Sequence, residues 1–259
     1  MSLELRGVVA GYAASRDSEG RHEVLHGVDF HARPGTVTAI LGPNGVGKTT
    51  LLNVALGWIT PWSGTVSVDG RDLRTLSGVE RGQLLSLVPQ TDHVAFEYSI
   101  LEYVLLGRAP YLGPLQSPTA KDREIARGAL EQAGIAGMAC RGVLETSAGE
   151  RQLVLLARAL AQEPRTLLLD EPSAHLDLAN KRRLVGLLQA QKELGRAIVL
   201  TAHEPEFAAA LATTVVLLSE GTVLASGAPQ HVLTEALLSR LYGIPVSVHR
   251  SGDRALFAW

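Results

Sequence analysis

With 259 residues, 46% of them hydrophobic, the chain suits one large domain, or a core with a small subdomain, around a substantial buried centre. A formal net charge of −2 without Lys/Arg blocks argues against a dedicated nucleic-acid binder, which needs a basic face to neutralise phosphates. The single Cys140 excludes an internal disulfide framework, fits a reducing cytosol and reads as a small buried apolar residue. No N-terminal apolar segment resembles a signal peptide. The apolar runs at 153–161 and 215–218 fall short of the roughly 20 residues a bilayer-crossing helix needs. The expectation is a chain that is not an integral membrane protein but can dock on one.

In chain order, 3–9 and 27–31 read as alternating edge strands, with 13–23 as a charged loop between them. Residues 36–41 form a continuous apolar run, as in a strand buried on both faces, and the same holds for 84–88, 166–169, 197–201 and 214–218. A strand at 65–70 ends in the Asp69-Gly70 turn. From about 91 to 162 no strand is evident and helical patterns dominate. There Thr119 and Asp122 have capping-box form, Ile125, Ala129, Leu130 and Ala133 make an apolar stripe, and Gly134 stops the helix. One helix is expected over 229–242, then a hairpin around Ser251-Gly252-Asp253. The fold class is therefore α/β: a largely parallel sheet, an antiparallel β layer beside it and an inserted helical subdomain. The units are drawn as a core of 1–90 and 153–228, a helical subdomain of 91–152, and a tail of 229–259.

The most informative stretch is Gly42-Pro43-Asn44-Gly45-Val46-Gly47-Lys48-Thr49-Thr50, between the 36–41 strand and a helix over 50–56. Gly42 and Gly47 let the backbone turn tightly, so that its N–H groups point at an anion. Lys48 adds a point charge for β/γ-phosphates, and the Thr49 hydroxyl is placed to ligate Mg²⁺. The helix N-terminus favours the same anion. The strand at 166–169 ends in Asp170 and Glu171, whose side chains leave in different directions and can hold different jobs. Asp170 suits Mg²⁺, and Glu171 can orient or deprotonate a water attacking the γ-phosphate. Gln90 and His203 also follow strands. Gln90 is in place for Mg²⁺ or that water and His203 for the γ-phosphate, although each also reads as a structural strand-end residue. The Thr146-Ser147-Ala148-Gly149-Glu150-Arg151-Gln152 turn is either a plain helix cap or a second anion site.

Taken in order, the 42–50 loop, Gln90, the 146–152 turn, 167–171, Ser173-Ala174-His175-Leu176-Asp177 and His203 resemble the ATP-binding subunit of ABC transporters over nearly the whole chain. The resemblance implies a P-loop NTPase core that hydrolyses ATP with Mg²⁺. In it Lys48 would bind phosphates, Thr49, Gln90 and Asp170 would serve the Mg²⁺, Glu171 would be the catalytic base and His203 the γ-phosphate switch. Tyr12 matches the aromatic that stacks on adenine. The resemblance further implies that two copies close on ATP, between the loop of one and Ser147, Ala148, Gly149, Glu150 and Asp177 of the other. Thr146 and Ala148 depart from the family's Leu-Ser-Gly-Gly-Glu/Gln. The Ala148 methyl would crowd a backbone that must approach phosphate, or sit at a φ that Ala dislikes.

Residues 105–113 read from the residues alone as a helix end and a Gly/Pro-rich turn with an exposed Tyr111. They resemble the Gly-Arg-x-Pro-His/Tyr stretch of importer ATPases for ferric siderophores, haem and cobalamin, and Leu241-Tyr242-Gly243-Ile244-Pro245-Val246 is similar to the same subgroup. This implies uptake of a metal chelate, ferric siderophore first, then haem or cobalamin. The partners implied are integral membrane permease subunits at the cytoplasmic face of the inner membrane and, indirectly, a substrate-binding protein; no nucleic acid is expected. The alternative is a non-transport ABC ATPase acting on nucleic acid or the ribosome, but the chain has no long coiled-coil insertion or second cassette. A GTPase is disfavoured because Asn180-Lys181-Arg182-Arg183 lacks the base-reading Asp. A module with a merely structural nucleotide is disfavoured by the Asp170–Glu171 pair.

Overall fold

The computed structural model describes residues 2–13, 20–174, 176–251 and 254–259. The chain opens with β1 (Leu3–Ala13) and β2 (Arg21–Ala32), paired antiparallel. Leu3, Leu5, Val8 and Ala10 of β1 are buried, so the inward positions change from odd to even. Gly7, at φ 54, and a register shift between Leu5 and Val8 make the bulge that permits this change. Both strands run longer than expected. Of the expected loop at 13–23, residues 14–19 lie outside the described ones.

Next come β3 (Val37–Leu41), α1 (Lys48–Ala55), β4 (Ser63–Val68) and β5 (Arg71–Asp72). Asp69 and Gly70, at φ 49 and 75, turn β4 into β5. After α2 (Gly78–Leu84) and β6 (Leu85–Val88) the chain is helical: α3 (Ile100–Leu105), a 3₁₀ segment over Leu106–Tyr111, α4 (Ala120–Gln132) and α5 (Ala148–Ala161). The Thr119–Asp122 capping box opens α4 as expected, and Gly134 at φ 70 follows its end. The second half alternates β7 (Thr166–Leu169), α6 (Leu178–Glu193), β8 (Ala197–Ala202), α7 (Pro205–Leu211), β9 (Thr214–Ser219) and β10 (Thr222–Gly227). The tail holds α8 (Pro229–Val232), α9 (Glu235–Tyr242) and the hairpin β11 (Ser247–Ser251) and β12 (Arg254–Ala258), whose turn at 252–253 lies outside the described residues.

The main sheet has the order β10-β9-β3-β8-β7-β6, parallel from β9 to β6, with β10 antiparallel at the edge. A second, antiparallel sheet runs β2-β1-β4-β5. The apolar runs are continuous because both faces of the main sheet are covered. Ile40, Leu168, Val199, Val216 and Leu218 face α1 and the antiparallel sheet. Their neighbours Ala39, Leu41, Leu167, Leu169, Ile198, Leu200 and Leu217 face the helices and the tail. The ends of β3, β6, β7 and β8 then lead into Gly42, Gln90, Asp170 and His203. The carboxyl ends of a parallel sheet are where such folds place their ligands.

Two expectations are corrected. Residues 229–242 are two helices, because the Thr234 hydroxyl accepts from the Leu237 N–H and caps α9, leaving Leu233 outside both. Cys140 is exposed. It lies in the turn that follows the 3₁₀ segment Ala136–Met138, while Ile135 and Val143 on either side take the buried positions.

Candidate active site

The loop after β3 owes its shape to three glycines. A Cβ on Gly42 would meet the Leu218 carbonyl oxygen at 2.4 Å, so only glycine fits between β3 and β9 there. Gly45 and Gly47 sit at φ 83 and 103, in the left-handed region. Gly47 is also the N-cap of α1 and has no side chain to occupy that helix's first N–H groups, which remain available to an anion. Lys48 is buried, and its Nζ donates to the Gly42 and Pro43 carbonyls at 2.8 and 3.1 Å. The same ammonium lies 3.2 Å from Glu171 Oε1.

Asp170 is buried with both carboxylate oxygens engaged. Oδ2 accepts from the Thr49 hydroxyl at 2.8 Å and Oδ1 from the Thr201 hydroxyl at 2.6 Å. Glu171 stands two residues past the strand at φ 45, an uncommon angle for a side-chain-bearing residue, and its N–H donates to Thr201 Oγ1 at 2.8 Å. That turn carries its carboxylate away from Asp170 and into a cluster. Gln90 Nε2 donates to Glu171 Oε2 at 3.0 Å, and His203 Nδ1 lies 3.6 Å from the same oxygen. Three positions up to 155 residues apart, Lys48, Gln90 and His203, thus converge on one carboxylate.

A cavity of about 420 Å³ lies over this cluster, within the range of small-molecule sites. Asn44, Gly45, Gly47, Lys48, Thr49, Thr50, Gln90 and Glu171 line it, with Tyr12 at its other end. Tyr12 is half exposed and its hydroxyl is 3.1 Å from Thr50 Oγ1. Pro43 and Val46 complete the loop outside that wall. The donors beside Lys48 are oxygens: the Thr49 hydroxyl, the Asp170 carboxylate and the Gln90 amide. That set fits a hard divalent cation such as Mg²⁺. Among the described residues no cluster of three His, Cys, Asp or Glu makes a soft-metal centre.

Three residues were missed in the sequence. Thr201, which orients Asp170 and caps the Glu171 N–H, looks like one more β-branched strand residue. His22 and Val24 line the cavity because β2 starts early and sets His22 directly across from Tyr12. An extended strand pairing past residue 9 was the signal for both.

Ser147, Ala148, Gly149, Glu150 and Asp177 do not line this cavity. Ser147 caps α5: its hydroxyl accepts from the Glu150 N–H at 3.3 Å while Glu150 Oε2 accepts from the Ser147 N–H at 2.8 Å. That N–H first, then the hydroxyl, with Arg141 beside them, holds the Glu150 carboxyl below the usual carboxylate range. Asp177 caps α6, and a Cβ on Gly149 would meet Asn180 Nδ2 of that helix at 2.6 Å, so the two segments share one surface. Ala148 is an exposed first-turn helical residue without a positive φ. The strained φ entertained for it is therefore corrected; only the methyl's bulk remains. His175 lies outside the described residues.

The 105–113 stretch is not a free turn. Arg108 is buried and its guanidinium meets Asp122 at 3.0 Å, Glu163 at 2.8 Å and the Ala161 carbonyl at 2.7 Å. It lies under the Tyr111 ring, 4.0 Å from the centroid, and the Tyr111 hydroxyl donates to the Gln162 carbonyl at 3.0 Å. The segment knots α4 to the end of α5; Tyr111 is exposed, as expected, with its hydroxyl tied to the Gln162 carbonyl.

The family model for ABC transporters matches residues 25–174, more than half of the chain. A model for an AAA domain of a type IV toxin–antitoxin system matches residues 141–209. The hemin import ATP-binding protein HmuV of Pseudomonas entomophila (strain L48) is 38% identical over 249 residues, covering 92% of this chain and 96% of that protein. A structure described as an inward-facing conformation of a metal-chelate type ABC transporter superposes with a TM-score of 0.84 at 29% identity, over 99% of this chain and 95% of that one. The dimeric bacterial cassette MJ0796 superposes with a TM-score of 0.77 at 25% identity, over 88% and 98%. With the phosphate loop, the Asp170–Glu171 pair and the convergence on Glu171 in place, the chain belongs to the ABC transporter family as an ATP-binding, ATP-hydrolysing subunit.

Proposed function

We propose that the chain powers uptake of a metal chelate, haem foremost, through separate membrane permease subunits. The observation that carries the hydrolytic part is the gathering of Lys48, Gln90 and His203 on the Glu171 carboxylate, directly over the phosphate loop. In this reading Lys48 leaves the loop carbonyls for the β/γ-phosphates, and Tyr12 stacks on the base. Thr49, Gln90 and Asp170 hold Mg²⁺, which neutralises charge on the phosphate oxygens. Glu171 orients a water in line with the γ-phosphate and takes its proton, and His203 contacts the γ-phosphate. The water's oxygen bonds to phosphorus as the bridging oxygen leaves with ADP.

Ser147, Ala148, Gly149, Glu150 and Asp177 serve the ATP of a second copy in this reading. Their separation from the chain's own cavity supports it, as does the dimeric relative. Residues 91–152 act as the helical subdomain, although α5 itself runs on to Ala161. The permease docks in a groove of about 530 Å³ between Trp58, Arg81 and Gly82 on one side and Leu106, Gly107 and Arg158 on the other. Its floor includes Pro89 and Thr91, the neighbours of Gln90, so occupancy of the groove reaches the Glu171 cluster through two peptide bonds. No helix among the described residues is long and apolar enough to cross a membrane. Docking then places the chain at the cytoplasmic face, where it meets a substrate-binding protein only through the permease.

The choice of cargo rests on relatives. Sequence motifs put ferric siderophore first, whereas the import proteins that resemble the chain over most of its length carry hemin in their names. Uptake of labelled haem, ferric siderophore and cobalamin in a deletion strain tests it. Haem uptake is expected to fall at least tenfold and to return with the wild-type gene but not with Glu171→Gln. Unchanged uptake of all three would overturn the import reading.

A further inference from the structure

His203 follows the last residue of β8, Ala202, and leads through Glu204 into α7. Its side chain is nearly half exposed, with Nδ1 3.6 Å from Glu171 and Nε2 3.8 Å from Glu204, both longer than hydrogen bonds. Side-chain contacts therefore do not fix the imidazole, and its position depends on the backbone that carries it. Two contacts from distant elements hold this loop, one on the Glu204 side chain and one on the His203 backbone. Lys181 Nζ meets the Glu204 carboxylate at 2.8 and 2.6 Å, tying the loop to the first turn of α6. The second comes from the tail: the Tyr242 hydroxyl donates to the His203 carbonyl at 3.0 Å.

The tail is built to hold that hydroxyl in place. Tyr242 is the last residue of α9, which Gly243 ends at φ 70, donating its N–H to the Ser239 carbonyl. Leu238, one turn before Tyr242 on the same face, and Leu241 beside it are buried and seat the helix on the core. The chain beyond is pinned back on α9, since the Val246 N–H donates to Ser239 Oγ at 2.8 Å and the Val248 N–H to Glu235 Oε1 at 2.9 Å. Strand β12 then packs on α7, the helix that His203 leads into, with Phe257 buried. Burial, and Glu206 next, push the Tyr242 hydroxyl up to about 12, so it remains a donor at any working pH. The Leu241-Tyr242-Gly243 run thus supplies a buried anchor, a donor and a left-handed stop in three consecutive residues.

We propose that the C-terminal segment is a clamp on the His203 loop, and that Tyr242 is a positioning residue for hydrolysis. The inference rests on the reading that His203 contacts the γ-phosphate. Tyr242 is half-buried, its ring packed on the core and its bond to His203 at the solvent edge, so the bond adds little to folding, whereas a displacement of about 1 Å in a reacting group costs on the order of 100-fold in rate.

The test uses the full chain with saturating ATP and Mg²⁺. Tyr242→Phe is expected to lower kcat at least threefold, with KM for ATP within twofold and the melting temperature essentially unchanged. Thr222→Val removes a hydroxyl bond to the Ser219 carbonyl in the β9–β10 turn, which touches neither the tail nor His203, and is expected to keep kcat within 1.5-fold. A smaller loss in Tyr242→Phe, or an equal loss in Thr222→Val, overturns the clamp. His203→Ala separates the two levels. Wild-type turnover in it sinks the role of His203 and the clamp with it; an inactive His203→Ala beside a fully active Tyr242→Phe sinks the clamp alone.

Discussion

Arg108→Ala removes a buried cation from the knot between α4 and α5, and its cost can be worked from the contacts. Breaking a buried ion pair by deleting one partner costs about 3–5 kcal/mol, chiefly because the remaining charge is left uncompensated. Here Asp122 keeps the Thr119 N–H at 2.9 Å and the Thr119 hydroxyl at 2.6 Å, and the Glu163 side chain is 50% exposed and rehydrates. The ion-pair cost therefore lies near the lower end, about 3 kcal/mol. Loss of the guanidinium under the Tyr111 ring adds about 0.5–1 kcal/mol, for a total near 3–4 kcal/mol. Arg108→Lys keeps the charge but reaches only part of the set, and about 1–2 kcal/mol is expected. The assay is urea unfolding, read as a shift in midpoint at constant slope. In melting temperature the alanine variant should fall by about 6–16 °C. ATP affinity should stay within twofold, since the cavity shares no residue with the knot. A cost below about 1 kcal/mol for Arg108→Ala would refute the knot and return 105–113 to the role of a free contact loop.

Ala148→Gly should leave ATPase activity equal or higher, because it removes only a methyl from a surface meant to approach phosphate. The same change lowers the stability of α5 by up to about 1 kcal/mol, and a tenfold fall in turnover would show that the methyl is adapted to its place. Thr119, hydroxyl first and N–H next, followed by Arg108, holds the Asp122 carboxyl at about 2, below the ordinary 3.8. Its folded pKa is depressed, so its contribution is complete above about pH 4 and is lost as the pH falls towards 2. The difference in unfolding free energy between wild type and Asp122→Asn should therefore shrink over that window; a constant difference would contradict the assignment.

Much of this architecture is legible in the residues. Strands covered on both faces show as unbroken apolar runs, and the phosphate loop shows because its glycines, lysine and hydroxyl lie within nine consecutive positions. Features that depend on pairing were hidden. The bulge at Gly7 interrupts the alternation of β1, which concealed its continuation to Ala13 and with it the His22 wall of the cavity. Helix α2 is too short and too exposed to carry an apolar stripe. The ion pairs that bury Arg108 were not legible, because Asp122 and Glu163 are 14 and 55 residues away in sequence. Thr201 and Tyr242 escaped for the same reason, since each acts through a backbone group or carboxylate that only the tertiary fold brings within reach.

The central claim is that Glu171 completes a site which a second copy of the chain must close. The most direct test is the mass of the Glu171→Gln protein in solution with ATP and Mg²⁺, read by light scattering while ATP turnover is followed on the same sample. The expected result is twice the mass of one chain, held for as long as ATP persists, with turnover abolished. A single-chain mass under those conditions would contradict it.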